Sequence, residues 1–209
     1  MATKVLVADD HPLFREALRL ALGRALPDAA VVEADSVATL TEMAEAHGDA
    51  DLLLLDLNMP GAQGFSALVQ VRAHHPSLPV VIISANEDPA VVRRAVAHGA
   101  AGFVPKSSSV EQMVDALRAV LEGDVWVPEG VDLEGPALES GEADTAARVA
   151  ALTPQQFRVL TMLSSGLLNK QIAWELGVSE ATIKAHMTAI MQKLGATNRT
   201  QAVVLAQRL

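Results

Sequence analysis

The sequence predicts two domains: a doubly wound α/β domain with a five-stranded parallel sheet, then a smaller all-α domain. Residues 1–121 alternate short apolar runs with stretches of helical periodicity, whereas residues 151–209 show helical periodicity alone. The charge also changes sign, because residues 1–150 carry 23 acids and 10 bases while residues 151–209 carry two acids and six bases. This change indicates that the two domains have different partners, and the basic domain is the candidate for binding phosphates.

Composition excludes several other classes of protein. Half of the 209 residues are hydrophobic and 20% are charged, as is ordinary for a globular protein. The longest apolar strand candidates are far shorter than the roughly 18 residues that a membrane span needs, so we expect no membrane partner. The N-terminus carries no basic leader, and we expect a cytoplasmic protein. The chain lacks cysteine and has only four Phe and two Trp, which excludes thiolate metal sites and a stacking platform for single-stranded nucleic acid.

Five apolar runs predict the strands of the first domain. Each run is apolar at consecutive positions, which is typical of parallel strands that helices cover on both faces. Between the runs, apolar residues such as Leu18, Ala21 and Leu22 recur at spacings of three and four, which predicts helices with one buried stripe. The predicted strands are Val5–Ala8, Val31–Ala34, Leu52–Leu55, Val80–Ile83 and Gly102–Val104.

The segment 123–150 is predicted to be a flexible acidic linker between domains at 1–122 and 151–209. It contains seven acids, one Arg and several Gly and Pro residues, and its apolar residues show no clear period.

Capping residues predict four helices in the second domain. Pro154 and Gln156 complete a capping box that begins at Thr153. Gly177 lies in a short turn between the second and third helices, and a helix, a Gly-containing turn and a helix have the spacing of a DNA-binding helix-turn-helix. The predicted caps are Thr153, Asn169, Ser179, and Asn198 or Thr197.

Polar residues follow four of the predicted strands. Asp9 and Asp10 follow the first strand, Asp56 the third, Ser84 the fourth and Lys106 the fifth. Because the carboxyl ends of parallel strands meet at one edge of the sheet, we expect these side chains to converge. Three carboxylates would repel one another, and Mg²⁺ is the natural cation to keep them ionised. With a hydroxyl and an ammonium nearby, such a site is equipped to accept a phosphoryl group.

The motifs VLVADDHP, LLLLDLNMPGAQGF, VVIISA and GFVPK occur in this order. Together they resemble the receiver domain of bacterial two-component response regulators, a CheY-like, flavodoxin-like fold, over roughly residues 2–121. The resemblance implies that Asp56 is the phosphoacceptor, loaded by a sensor histidine kinase. It also implies that Ser84 senses the phosphoryl oxygens, that Lys106 pairs with them and that Phe103 is the switch aromatic. Phe103 stands where many receivers have Tyr, so a phenolic hydrogen bond is not available.

The same resemblance implies a Mg²⁺ site. Asp10, Asp56 and the backbone carbonyl of Asn58 would be ligands, with Asp9 helping through water. The run from Asp9 could also form a metal site that includes His11. Because His11 precedes a Pro suited to the first turn of a helix, a surface or capping role is the preferred interpretation.

Residues 151–207 resemble the LuxR-type helix-turn-helix domain, so the whole chain resembles the NarL/FixJ subfamily of response regulators. The helix beginning at Glu180 would bury Ile183, Met187 and Ile190 and present its other side to the major groove of double-stranded DNA. Base reading is expected from the exposed side of this helix, and phosphate contacts from Thr182 and Lys170. The predicted DNA-contacting residues are Lys170, Thr182, Lys184, Ala185, Thr188 and Gln192.

The predicted function is a transcription factor controlled by phosphorylation of Asp56, which would alter dimerisation or exposure of the recognition helix. The modest positive charge of the second domain favours binding as a homodimer. We expect no turnover enzyme.

Three alternatives remain open at this point. One is a constitutive regulator whose receiver takes no phosphate. Another is a Mg²⁺-dependent phosphatase, although Asp56 lies on the third strand and has no second Asp two residues later. The last is the ligand-sensing branch of LuxR-type regulators, which the absence of Tyr and the presence of the Asp, Ser and Lys motifs disfavour.

Overall fold

The computed structural model describes residues 3–62, 64–135, 138 and 141–207. All five predicted strands are present, and each of their ends lies within one residue of the prediction. The strands are β1 (Lys4–Ala8), β2 (Ala30–Ala34), β3 (Leu52–Asp56), β4 (Val80–Ser84) and β5 (Gly102–Pro105). They form one parallel sheet in the order β2-β1-β3-β4-β5, which confirms the doubly wound fold.

Helices cover both faces of the sheet. Neighbouring residues of a strand point to opposite faces, so Val5 and Val7 join one apolar cluster while Leu6 and Ala8 join the other. The first cluster packs under α1 (Pro12–Ala25) and α5 (Val110–Glu122). The second packs under three helices, which are α2 (Val37–Ala46), α3 (Ser66–His74) and α4 (Pro89–Ala97).

The strand order places the carboxyl ends of β1 and β3 side by side. Ala8 pairs in register with Leu55, and Asp56 pairs with Ile83 of β4. From β1 the chain adds β2 on one side of the sheet and then β3, β4 and β5 on the other, so the strand order switches between β1 and β3. Such a switch point opens a crevice where doubly wound proteins bind their ligands. The residues that follow β1, β3 and β4 therefore share one edge.

The prediction of a flexible linker is wrong for the last part of the segment 123–150. Residues 142–150 form α6 (Glu142–Ala150), which packs on α3, and Val149 is fully buried there. The acidic, Gly-rich composition of the whole segment hid a short run of helix-forming residues whose apolar side chains find a partner only in the folded molecule. Earlier in the segment, Trp126 bridges to the edge of β5 through two backbone hydrogen bonds, with Ala101 and Phe103.

Four further helices form the second domain, as predicted. They are α7 (Pro154–Ser164), α8 (Asn169–Glu175), α9 (Glu180–Leu194) and α10 (Arg199–Ala206). The capping box at Thr153 and the caps at Ser179 and Asn198 are confirmed. The cap at Asn169 is wrong, because α8 begins at Asn169 and the side chain of Gln171 accepts a hydrogen bond from the amide of Leu168.

The apolar cluster under α2, α3 and α4 continues into the second domain. Val149 and Leu152 belong to it, as do Phe157 of α7 and Ile183 of α9. The two domains are therefore packed together through α6 and α7. Among the described residues, none of the helices is long and apolar enough to span a membrane.

Candidate functional site

The three predicted aspartates come together at the edge of the sheet. Asp56 is the last residue of β3, and Asp9 and Asp10 follow β1. The side chains of Asp56 and Asp9 are almost completely buried, whereas that of Asp10 is 28% exposed. Each of the two buried carboxylates accepts a backbone hydrogen bond: Asp56 Oδ1 from the Asn58 amide at 3.0 Å and Asp9 Oδ1 from the His11 amide at 2.6 Å. The local loops thus hold both carboxylates in place.

Lys106 supplies the cation for this buried pair. Its Nζ lies 2.8 Å from Asp56 Oδ2 and 2.8 Å from Asp9 Oδ2. Burial lowers the pKa of Lys106, but the hydrogen bonds and Coulombic attraction of the two carboxylates outweigh burial, so the pKa is raised above its usual value. The ammonium therefore stays charged and neutralises part of the cluster.

Ser84 and Phe103 are buried next to this edge. Ser84 ends β4, its Oγ accepts a hydrogen bond from the Asn86 amide at 3.1 Å, and its carbonyl accepts one from the Lys106 amide at 2.8 Å. Phe103 lies in β5 with its ring inside the core under α4. The structure thus brings Ser84, Lys106 and the aspartates to one edge, with Phe103 in the core behind them.

His11 also belongs to this cluster, although the sequence analysis preferred a surface or capping role. It occupies the N-cap position of α1, but its side chain makes no capping hydrogen bond. Its Nδ1 instead lies 2.8 Å from Asp10 Oδ1, 3.3 Å from Asp9 Oδ1 and 3.6 Å from Asp56 Oδ2. The consecutive Asp9, Asp10 and His11 indicated that the histidine could join the carboxylates, but the rotamer of His11 could not be predicted from the sequence.

The donor set fits a divalent cation. Asp9, Asp10, His11 and Asp56 each offer an atom within 4.8 Å of the others. Asp9 Oδ2 and Asp10 Oδ1 are buried atoms, and their close neighbours belong to the cluster itself: Lys106 Nζ lies 2.8 Å from the first and His11 Nδ1 lies 2.8 Å from the second. Both oxygens therefore lie inside the cluster, where a metal ion could bind them. Carboxylate oxygens are the ligands that Mg²⁺ prefers.

The second predicted site is the outer face of α9. Ile183, Met187 and Ile190 are buried in the domain core, as predicted. Lys184 pairs with Glu180 at 3.4 Å. Of the predicted DNA-contacting residues, Thr182 is half-buried and the others are exposed: Lys170, Lys184, Ala185, Thr188 and Gln192.

Polar contacts fasten α6 and the second domain to the first domain, and these contacts were not predicted from the sequence. Gln70 of α3 donates from Nε2 to the carbonyl of Val149, and Arg158 of α7 pairs with Glu42 of α2. At the start of α6, the buried carboxylate of Glu142 lies 2.8 Å from Arg94 Nη2. His98 Nε2 lies at the same distance from it, 2.8 Å.

A cleft of about 430 Å³ lies between the carboxylate edge and the second domain. Its lining includes Asn58, Ser84, Phe65 and Arg94 of the first domain and Gln207, which follows α10 in the second. Gln207 of the second domain therefore lines the same cleft as Asn58 and Ser84 of the carboxylate edge.

A doubly wound domain with buried aspartates at its switch point, joined to a helix-turn-helix domain, defines a class of protein: a regulator in which an α/β domain controls a DNA-binding domain. Two family patterns match the chain accordingly. The response regulator receiver domain matches residues 5–118. The luxR family of bacterial regulatory proteins matches residues 150–206.

Similar proteins agree along the whole chain. The glycerol metabolism activator of Pseudomonas putida is 42% identical over 208 residues, which cover 97% of this chain and 94% of the relative. The probable transcriptional regulatory protein NarL of Mycobacterium tuberculosis is 37% identical over 210 residues, 98% of this chain and 94% of the relative. The structure of two RcsB dimers bound to two parallel DNAs matches with a TM-score of 0.58 and 26% identity, covering 100% of both chains.

The chain belongs to the NarL/FixJ subfamily of two-component response regulators, which join a receiver domain to a LuxR-type DNA-binding domain. It is a DNA-binding transcriptional regulator.

Proposed function

We propose that a sensor histidine kinase transfers a phosphoryl group to Asp56, and that this transfer controls how the second domain binds DNA. The observation that carries the proposal is the position of Asp56, whose buried carboxylate lies 2.8 Å from Lys106 Nζ at the switch point of the sheet. A carboxylate next to an ammonium and a cation site has the charges that phosphoryl transfer requires.

The transfer breaks the nitrogen–phosphorus bond of a phosphohistidine and forms an oxygen–phosphorus bond to a carboxylate oxygen of Asp56. The histidine of the donor keeps the electron pair and takes up a proton. Lys106 offsets the negative charge on the transferred oxygens, and the hydroxyl of Ser84 is the group that senses them. Later hydrolysis of the acyl phosphate restores the free carboxylate of Asp56. The chain is therefore phosphorylated by its partner and does not itself turn over a substrate as an enzyme does.

Mg²⁺ would be held by Asp10, Asp56 and the backbone carbonyl of Asn58, with Asp9 in support, and it would supply a further positive charge for the phosphoryl oxygens. The close spacing of the donor atoms of Asp9, Asp10 and Asp56, which all lie within 4.8 Å of one another, supports this assignment. The side chain of Asp56 has no exposed surface, so the groups around it must shift before a donor reaches the carboxylate.

The signal passes from the carboxylate edge to the second domain through α4. The chain runs from Ser84 at the end of β4 into α4, which carries Arg94 and is followed by His98. Both residues hold Glu142 at the start of α6. A shift of Ser84 and Phe103 on phosphorylation would therefore loosen the grip on α6 and release the second domain.

Release changes dimerisation more than access to the recognition helix. Lys184, Ala185, Thr188 and Gln192 are exposed while the domains are packed together, so the receiver does not cover them. The similar RcsB structure contains dimers bound to DNA, which supports a dimer on paired DNA half-sites for this chain. Both proposed partners, the kinase and the chromosome, place this activity in the bacterial cytoplasm.

Labelling with a radioactive phosphoryl donor in the presence of Mg²⁺ tests the assignment. We expect the parent chain to be labelled and Asp56→Asn to stay unlabelled. Asp51→Asn is the matched control, because Asp51 lies just before the other end of β3 and is exposed. Label on Asp56→Asn equal to that of the parent would reject Asp56 as the acceptor, and no label on any variant would favour a constitutive regulator.

A further inference from the structure

The position of His11 extends the proposed metal site and rests on that proposal. The imidazole is 58% exposed, but its Nδ1 faces three carboxylate oxygens of the cluster. We propose that His11 is a metal ligand and that it shifts the selectivity of the site from Mg²⁺ towards divalent transition ions that favour nitrogen, such as Co²⁺ or Ni²⁺.

The distances between the donor atoms match those of a metal coordination shell. Ligands about 2.1 Å from one ion lie about 3 Å apart when they are neighbours in an octahedron and about 3.4 Å apart in a tetrahedron. His11 Nδ1 lies 2.8, 3.3 and 3.6 Å from the oxygens of Asp10, Asp9 and Asp56. A single ion could therefore bind the four side chains with small movements.

The contact between His11 and Asp10 is close but is not a hydrogen bond. His11 Nδ1 lies 2.8 Å from Asp10 Oδ1, within ion-pair distance, and the contact lacks hydrogen-bond geometry. The Nδ1 atom also lies 3.4 Å from Lys106 Nζ, and an ammonium can only donate, so that contact is favourable when Nδ1 presents a lone pair. In the absence of a metal ion, the Lys106 ammonium is the positive charge next to these carboxylates.

The chemistry of the fourth donor sets the selectivity. Three carboxylates alone suit hard ions such as Mg²⁺, whereas an imidazole nitrogen adds affinity for Co²⁺, Ni²⁺ and Zn²⁺. The competing interpretation is a protonated imidazole that only balances the carboxylates. In that case, removing His11 would leave metal affinity unchanged or raise it, because a positive neighbour would be lost.

Isothermal titration of the full chain with Co²⁺ and, separately, with Mg²⁺ tests the inference. The best variant is His11→Asn, because Asn is a favourable N-cap residue and preserves the start of α1. We expect it to weaken Co²⁺ binding by at least about 10-fold, since the loss of even a supporting group near a metal costs that much, and to change Mg²⁺ binding little. The visible spectrum of bound Co²⁺ should also change as nitrogen leaves the shell.

Two further variants make the outcomes distinct. His47→Ala removes a histidine outside the cluster and should leave Co²⁺ binding unchanged, whereas Asp10→Asn should weaken both metals. If Asp10→Asn has no effect on Mg²⁺, the proposed metal site itself fails. If Asp10→Asn weakens Mg²⁺ but His11→Asn leaves Co²⁺ binding as in the parent, or weakens both metals equally, only the role of His11 is overturned.

Discussion

At Asp56, the balance of charge depends on a single ammonium. Two carboxylates are buried within reach of Lys106, and no other Lys or Arg in the described part of the chain is recorded in an ion pair with either of them. The raised pKa of Lys106 means that its contribution to stability is fully present below its ordinary pKa of 10.5 and is lost only as the pH rises above that value. The pair therefore persists through the neutral range.

Lys106→Met should lower the free energy of unfolding by about 3 to 5 kcal/mol in the absence of metal, because it leaves two buried carboxylates without a cation. Lys4→Met is the matched control, since Lys4 pairs at 2.7 Å with Asp49, whose side chain is 72% exposed, and solvent screening leaves an exposed pair little effect on stability. Urea unfolding with a chelator present measures both changes. Equal losses in the two variants would contradict the central role of Lys106.

Lys184 lies on the exposed face of α9 and pairs with Glu180 at 3.4 Å. If it reads a base, Lys184→Ala should weaken binding to the cognate site by about 1 to 3 kcal/mol and leave binding to random duplex DNA nearly unchanged. Lys170→Ala is the comparison, because loss of a phosphate contact should weaken both kinds of DNA alike and reduce the salt dependence. Fluorescence anisotropy with the two duplexes separates these effects, and an equal decrease for Lys184→Ala on both duplexes would make it a phosphate contact.

At the scale of the element, α6 connects the two domains. Its first turn is held by Arg94 and His98 through Glu142, and its last turn by the Gln70 side chain, which donates to a backbone carbonyl. Phe65 adds to the first of these clusters, since its ring lies 5.3 Å from that of His98 and 5.1 Å from the Arg94 guanidinium. The helix is short, so these tertiary contacts rather than its own propensity keep it folded.

Glu142→Gln should loosen α6, because hydrogen bonds to charged groups contribute about 1.5 to 3 kcal/mol each. Amide hydrogen exchange should then show protection across α6 falling by at least about tenfold, with the sheet unchanged. Glu129→Gln makes the same charge change at an exposed position earlier in the connecting segment and should leave α6 as it is. Unchanged protection in Glu142→Gln would mean that apolar packing alone holds the helix.

At the scale of the whole molecule, one apolar cluster runs from the sheet into the helix-turn-helix domain. The packed arrangement leaves the outer face of α9 exposed to solvent, and Gln207, which follows α10, lines a cleft together with Asn58 and Ser84. The receiver thus constrains where the second domain sits, and under the proposed function we expect phosphorylation of Asp56 to separate the two domains.

Mg²⁺ and beryllofluoride, a mimic of the phosphoryl group, should convert the parent chain from monomer to dimer. Sedimentation velocity measures this change. Asp56→Asn should remain monomeric under the same conditions, since the mimic needs the carboxylate. A parent that is dimeric before the mimic is added, or that binds the mimic without dimerising, would contradict control through dimerisation.

The sequence alone determined the five strands and the order of the motifs at their ends. It also determined that the aspartates converge with Ser84 and Lys106, and which face of α9 is exposed. Each follows from local pattern together with one rule, that parallel strands end at the same edge. Only the tertiary structure decided that residues 142–150 form a helix, that Gln70, Arg94 and His98 hold it, and that His11 turns towards the carboxylates. These depend on side-chain rotamers and on contacts between residues far apart in the chain, such as His98 and Glu142, and no local pattern encodes them.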